Sequence, residues 1–161
     1  MRALGGGGAS DGASNRVAVA YSTPSGIATR VWNGVTLSSE STVVSWPLAA
    51  DGQTYASGYG PAVLPSGGGD LMVAFAGCRA RGMPDPCDTF DPAARVDIVV
   101  VTSGDDGGGW GSANAITDSA KQPYRTNAEP SLALDGSRFR LSFDRYQSTF
   151  KDYRVWIRSS A

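Results

Sequence analysis

The chain has 161 residues, a formal net charge of −1, 21 Gly, 9 Pro, 2 Cys and no His, and 41% of its residues are hydrophobic. That supplies a core for one domain, while the scattered basic residues exclude the cationic stripe that nucleic-acid binding requires. No apolar run reaches the roughly 18 residues of a membrane span, and without histidine any acid–base chemistry must run on carboxylates and tyrosine.

High glycine and proline with few lysines and glutamates predict an all-β chain of short strands and tight turns. Residues 1–15, with glycines at 5–8, carry little to bury and are expected to be a flexible lead-in. A strand at 17–21 ends in Tyr21 and is followed by another at 27–32 and the pair Asn33-Gly34, a good type I′ hairpin turn. Next come a proline-opened strand at 61–64, a glycine-rich turn at 66–69, a strand at 71–75 ending in Phe75, and an apolar strand at 96–101. The same order returns with a proline-opened strand at 130–134, the turn Asp135-Gly136, a strand at 139–143 ending in Phe143, and a strand at 153–157. The aromatic-ended strands start at Val17, Leu71 and Phe139, 54 and 68 residues apart, a spacing that suits propeller blades. A two-sheet sandwich also uses short antiparallel strands, but its strands have no reason to recur in one fixed order.

The expected fold is therefore a partial β-propeller of about two and a half to three four-stranded antiparallel blades, over residues 16–56, 57–127 and 128–161. Its first innermost strand is expected to be largely missing and its last blade to lack an outer strand, so that a longer parent chain or a homo-oligomer would complete the ring. Cys78 and Cys87 flank a Pro- and Gly-containing loop that can close on itself, so a local disulfide is expected in an oxidising compartment. Two sulfurs fall short of a zinc site, and neither metal nor cofactor is expected.

After the strand at 96–101 comes Ser103-x-Asp105-x-Gly107-x-x-Trp110. It resembles the Asp-box of sialidases and related propellers (BNR repeats), in which the Asp accepts backbone N–H bonds, Gly supplies a positive φ and Trp tucks beneath the hairpin. Asp51-Gly52 looks like a decayed copy. The stretch 71–79 with Asp97 is similar to the first catalytic blade of exo-sialidases. That resemblance implies a strand-end arginine at Arg79 and a catalytic acid at Asp85, Asp88 or Asp91. The family's Arg-x-Pro opening is absent, because this chain reads Tyr59-Gly60-Pro61. The resemblance, with that gap, implies a non-catalytic or partial sialidase-like module, glycan- or protein-binding and extracellular or at the cell surface. The alternatives are a segment of an exo-sialidase and a purely structural propeller.

Candidate ligand residues are Arg79 and Arg81 in the cysteine loop, since arginine pairs well with anionic sugars, and Glu129, which precedes Pro130 as Gly60 precedes Pro61. Arg145 and Tyr146, next to Asp144, form an Asp-Arg-Tyr set suited to glycan hydroxyls.

Overall fold

The structure is a computed structural model that describes residues 6–11, 15–66, 69–82, 85–88, 93–120, 124–135, 138–147 and 152–159. Among these residues there is no α-helix and there are twelve strands: β1 (Gly6–Asp11), β2 (Arg16–Thr23), β3 (Gly26–Trp32), β4 (Ser41–Ser45), β5 (Leu48–Ala50), β6 (Gln53–Pro65), β7 (Leu71–Arg79), β8 (Val96–Ser103), β9 (Asn114–Ala115), β10 (Tyr124–Asp135), β11 (Arg138–Gln147) and β12 (Asp152–Ser159). Blade 1 is the antiparallel sheet β1-β2-β3-β4. Blade 2 runs β6-β7-β8 with β5 beside β6 and β9 beside β8, and blade 3 runs β10-β11-β12. A single parallel bridge, Thr126 to Val96, joins the sheets of blades 2 and 3.

The expected flexible lead-in is corrected from Gly6 onward. Gly6 to Asp11 pair with Tyr21 to Arg16, making β1 the innermost strand of blade 1. Backbone ladders need no side chains, and here side chains would be an obstacle: a Cβ at Gly7 would lie 2.7 Å from the carbonyl oxygen of Pro61 on β6. Glycine lets the innermost strands of neighbouring blades approach this closely.

Period-two alternation on the middle blade builds both inter-blade cores. Leu71, Val73 and Phe75 of β7 and Val99 and Val101 of β8 join Ala18, Ala20, Ile27 and Val44 of blade 1 in one buried cluster. From the opposite face, Ala74 of β7 and Ile98 of β8 meet Leu141 and Phe143 of β11, with Trp156 at the margin. The recurring aromatic at the end of the second strand is thus a wedge against the preceding blade, and Phe75 meets Trp46 in a T-shaped contact with ring centroids 5.9 Å apart.

Three local expectations are revised. The prolines do not open their strands: β6 begins at Gln53 and β10 at Tyr124, and Pro61 and Pro130 sit at register shifts between Tyr59 and Ala62 and between Ala128 and Ser131. A bulge leaves those residues out of the ladder, so proline costs no hydrogen bond there. Asp51-Gly52, both at positive φ, is the two-residue turn between β5 and β6 and not a shortened Asp-box. Asn33-Gly34 is not a type I′ pair, since only Gly34 is at positive φ; instead the Asn33 side-chain oxygen accepts the N–H groups of Val35 and Thr36, an Asx turn opening a longer connection to β4.

Candidate functional site

The innermost strands β1, β6 and β10 converge on a cleft of about 360 Å³. Its wall is mostly backbone and small side chains: Gly6 to Ala9 from β1, Gly60 to Val63 from β6, and Glu129 to Leu132 from β10. Glu129 is the one ionisable side chain among the described lining residues. It is exposed, and its φ is 51°. Its counterpart Gly60 has a φ of 57°, with nothing within 4 Å of the place a Cβ would take. The two blades therefore make the same left-handed bulge before proline. One fills it with glycine, which is free to adopt it, and the other with glutamate, which is not. The sequence paired these two positions through their prolines, and the structure confirms that they are geometric equivalents.

Arg79 lies elsewhere. At the end of β7 it is 5% exposed and turned into blade 2. Its Nε donates to Asp97 Oδ2 at 2.7 Å, Nη1 to Gln53 Oε1 at 2.7 Å and Nη2 to Asp118 Oδ1 at 2.8 Å. Asp97 is fully buried and accepts four further bonds: from Tyr55 Oη at 3.2 Å, Thr117 Oγ1 at 3.1 Å, Ser119 N at 2.6 Å and Ser119 Oγ at 3.0 Å. Burial, with the Asp97 charge beside it, pushes the Tyr55 phenol far above its usual 10. Burial also works against the Arg79 charge, but the hydrogen bonds and charge of Asp97, with Asp118, outweigh it and raise its pKa. With all three guanidinium nitrogens engaged inside the protein, Arg79 ties β6, β7, β8 and the 117–120 turn together, and it does not meet Asp85 or Asp88.

The remaining candidates separate. Arg81 is exposed, Asp85 accepts the N–H of Cys87 at 2.9 Å within its own loop, Asp88 is half-buried, and Asp91 lies outside the described residues. Cys78 and Cys87 are joined in a disulfide with Cα atoms 5.2 Å apart, and they pack with Ala76, Val96 and Tyr59. Arg145 does not share a face with Asp144 and Tyr146, because successive strand residues point opposite ways. It is buried between blades 2 and 3, donating to Asn127 Oδ1 at 2.7 Å and lying 5.3 Å and 4.7 Å from the ring centroids of Phe143 and Trp156. Asn127 in turn donates to the carbonyl of Val96. No group of three or more His, Cys, Asp or Glu side chains suited to a metal is present among the described residues.

The turn at residues 103–110 is held mainly by Ser103 and Asp105. Ser103 Oγ donates to Asp105 Oδ1 and accepts the N–H of Gly107, and Asp105 Oδ1 accepts the N–H of Gly109 at 2.7 Å. The Ser103 bond and the Gly109 N–H hold the Asp105 carboxyl below its usual 3.8. Gly107 has a φ of 83°. The turn also reaches across to blade 1: Asp106 pairs with Arg16, the Gly107 carbonyl accepts from Ser41 Oγ, and Trp110 Nε1 donates to Ser41 Oγ at 3.0 Å. Trp110 is half-buried against the first core and not submerged in it.

Sequence reasoning missed the centre of the buried network. Its signal was present in Asp97, a lone charge within the apolar stretch 96–101, which is tolerated in a core only when donors surround it. Gln53, Tyr55, Asp118 and Ser119 carried no such signal.

No family model matches the sequence, and no curated protein matches it. Solved structures do. An α-L-arabinanase of Cellvibrio cellulosa complexed with arabinohexaose superposes with a TM-score of 0.64 at 12% identity, over 96% of this chain and 52% of that one. An exo-1,5-α-L-arabinanase from a bovine ruminal metagenomic library gives 0.63 at 14% identity, over 98% and 53%. Those enzymes are five-bladed β-propellers, and this chain spans about half their length. The fold is a partial β-propeller. Kinship with sialidases rests on the sequence pattern alone.

Proposed function

We propose that this chain is a glycan-binding part of a glycoside-hydrolase-like propeller, with Glu129 as the carboxylate that accepts sugar hydroxyls in the cleft of the innermost strands. The observation that carries this reading is the left-handed backbone of an exposed glutamate where the equivalent blade position uses glycine. A non-glycine residue held there costs on the order of 1 kcal/mol, and such strain gathers at binding and catalytic sites. The solved relative's arabinohexaose complex supports a carbohydrate as the ligand class.

Glycosidases work with two carboxylates separated by about 5 to 9.5 Å. The described part of the cleft brings one, so the reading is binding without turnover by these 161 residues. The Cys78–Cys87 disulfide supports an oxidising, extracellular or cell-surface setting. Calorimetric titration with arabino-oligosaccharides and with sialyl-lactose tests the proposal. Saturable binding that Glu129→Gln weakens about tenfold or more would support it. No binding to either ligand would favour a purely structural blade set, and turnover of a fluorogenic sialoside would refute the non-catalytic reading.

A further inference from the structure

The cleft of the innermost strands carries charge of one sign only. Glu129 makes no hydrogen bond or ion pair with any described residue, and none of the described lining residues is basic. The arginines that an anionic sugar would need are engaged elsewhere. Arg79 is held by Asp97, Gln53 and Asp118, Arg145 by Asn127, and Arg81 lies out in the cysteine loop. The wall also leans toward acceptors. Each of its two bulges contains a proline, Pro61 or Pro130, outside the pairing register, and proline has a carbonyl but no N–H. The two sides of the cleft differ in shape as well as charge. At Gly60 nothing lies within 4 Å of the place a Cβ would take, whereas the equivalent position in the next blade carries the Glu129 side chain. A small ring can therefore lie against β6 with one polar group directed at β10.

We infer that the cleft selects amino sugars: hexosamine units whose free, protonated amine pairs with the Glu129 carboxylate while the ring lies over Gly60. The inference rests on the glycan-binding reading above and narrows it to a ligand charge. An ammonium group brings three donors and one positive charge, the complement of an unpartnered carboxylate in an acceptor-rich wall. A sialate or uronate instead brings like charge to Glu129 and meets no described cation, so the cleft selects against it. Neutral sugars supply hydroxyl donors but leave the carboxylate charge uncompensated.

Calorimetric titration of the full chain at about pH 6, where the sugar amine carries its proton, tests the inference. The ligands are glucosamine trimer, its fully N-acetylated counterpart, arabinotriose, sialyl-lactose and trilysine. N-acetylation removes the charge and keeps the ring, so glucosamine trimer is expected to bind at least about tenfold more tightly than its acetylated counterpart. Glu129→Gln is expected to erase that difference, and added salt to weaken only the amine-bearing trimer. Equal or tighter binding of the acetylated trimer, arabinotriose or sialyl-lactose would overturn the amino-sugar inference and leave the glycan-binding reading standing. A preference for the amine that survives Glu129→Gln would overturn its assignment to this carboxylate, and trilysine binding as tightly as the trimer would reduce it to ion pairing without sugar recognition and overturn it equally. Absence of binding by every saccharide would overturn both readings.

Discussion

Two carboxylates mark opposite uses of charge in this fold. Asp97 is fully buried and receives hydrogen bonds from Tyr55, Arg79, Thr117 and Ser119. Glu129 is exposed on a left-handed backbone beside a cleft wall of glycines and small residues. A charge surrounded by fixed donors holds secondary elements together, whereas a charge on a strained backbone that stays open to solvent is left accessible to a ligand, the use proposed here for Glu129. The two residues separate candidates that the sequence offered together, since Arg79 is enclosed with Asp97 and Glu129 stays open at the cleft.

The sharpest way to break the comparison is to remove the buried centre. Asp97→Ala leaves Arg79 charged and enclosed and is expected to cost about 3–5 kcal/mol, the range for breaking one side of a buried pair. Urea denaturation measures it, and a loss below about 1 kcal/mol would mean that the network is effectively solvated.

Trp110→Ala tests a second structural anchor of intermediate depth. Full burial would give about 3–5 kcal/mol, and half-burial with loss of the Ser41 bond brings the expected cost to about 2 kcal/mol in the same assay. Carbohydrate binding at the cleft is expected to be unchanged.

Tyr55→Phe removes one of five donors to Asp97 and is expected to cost about 1.5 kcal/mol at neutral pH. Its pH dependence sharpens the assignment. A phenol whose folded pKa lies above its unfolded value of 10 contributes stability below that value and loses it as pH rises further, because the unfolded chain releases the proton first. Wild type should therefore lose stability above pH 10 more steeply than Tyr55→Phe in alkaline melts.

Glu129→Gly runs in the opposite direction. Glycine relieves the positive φ but frees the unfolded chain, so stability is expected to hold or rise by up to about 1 kcal/mol, while carbohydrate binding is lost. A large loss of stability would make Glu129 a structural residue. The smallest effect is expected at Asp105, whose lowered pKa contributes stability above 3.8 and withdraws it as pH falls through the folded value. The melting temperatures of wild type and Asp105→Asn should therefore converge as pH falls from 5 toward about 2.

Much of the architecture was legible because it depends on local periodicity. Alternating apolar positions, an aromatic ring closing the second strand at Phe75 and Phe143, and glycine-bearing turns specify strands and their order without knowledge of distant contacts. The equivalence of Gly60 and Glu129 was legible for the same reason, through the proline after each. The residues 6–11 were misjudged because their pairing depends on what stands opposite, since a glycine run is disordered in isolation and a good innermost strand beside Pro61 and Ala62.

The sequence by itself determined an all-β chain of repeated meanders, a local disulfide loop and a turn locked by Ser103 and Asp105, since each depends on residues near one another along the chain. Tertiary structure alone decided where the charges go. Whether Arg79 turns toward Asp85 or toward Asp97, Gln53 and Asp118 depends on groups 18 to 39 residues away, which only the packing of strands brings within 3 Å. It also decided that Arg145 enters the blade interface and that Glu129 faces a cleft, because the face a side chain takes is set by register and bulges.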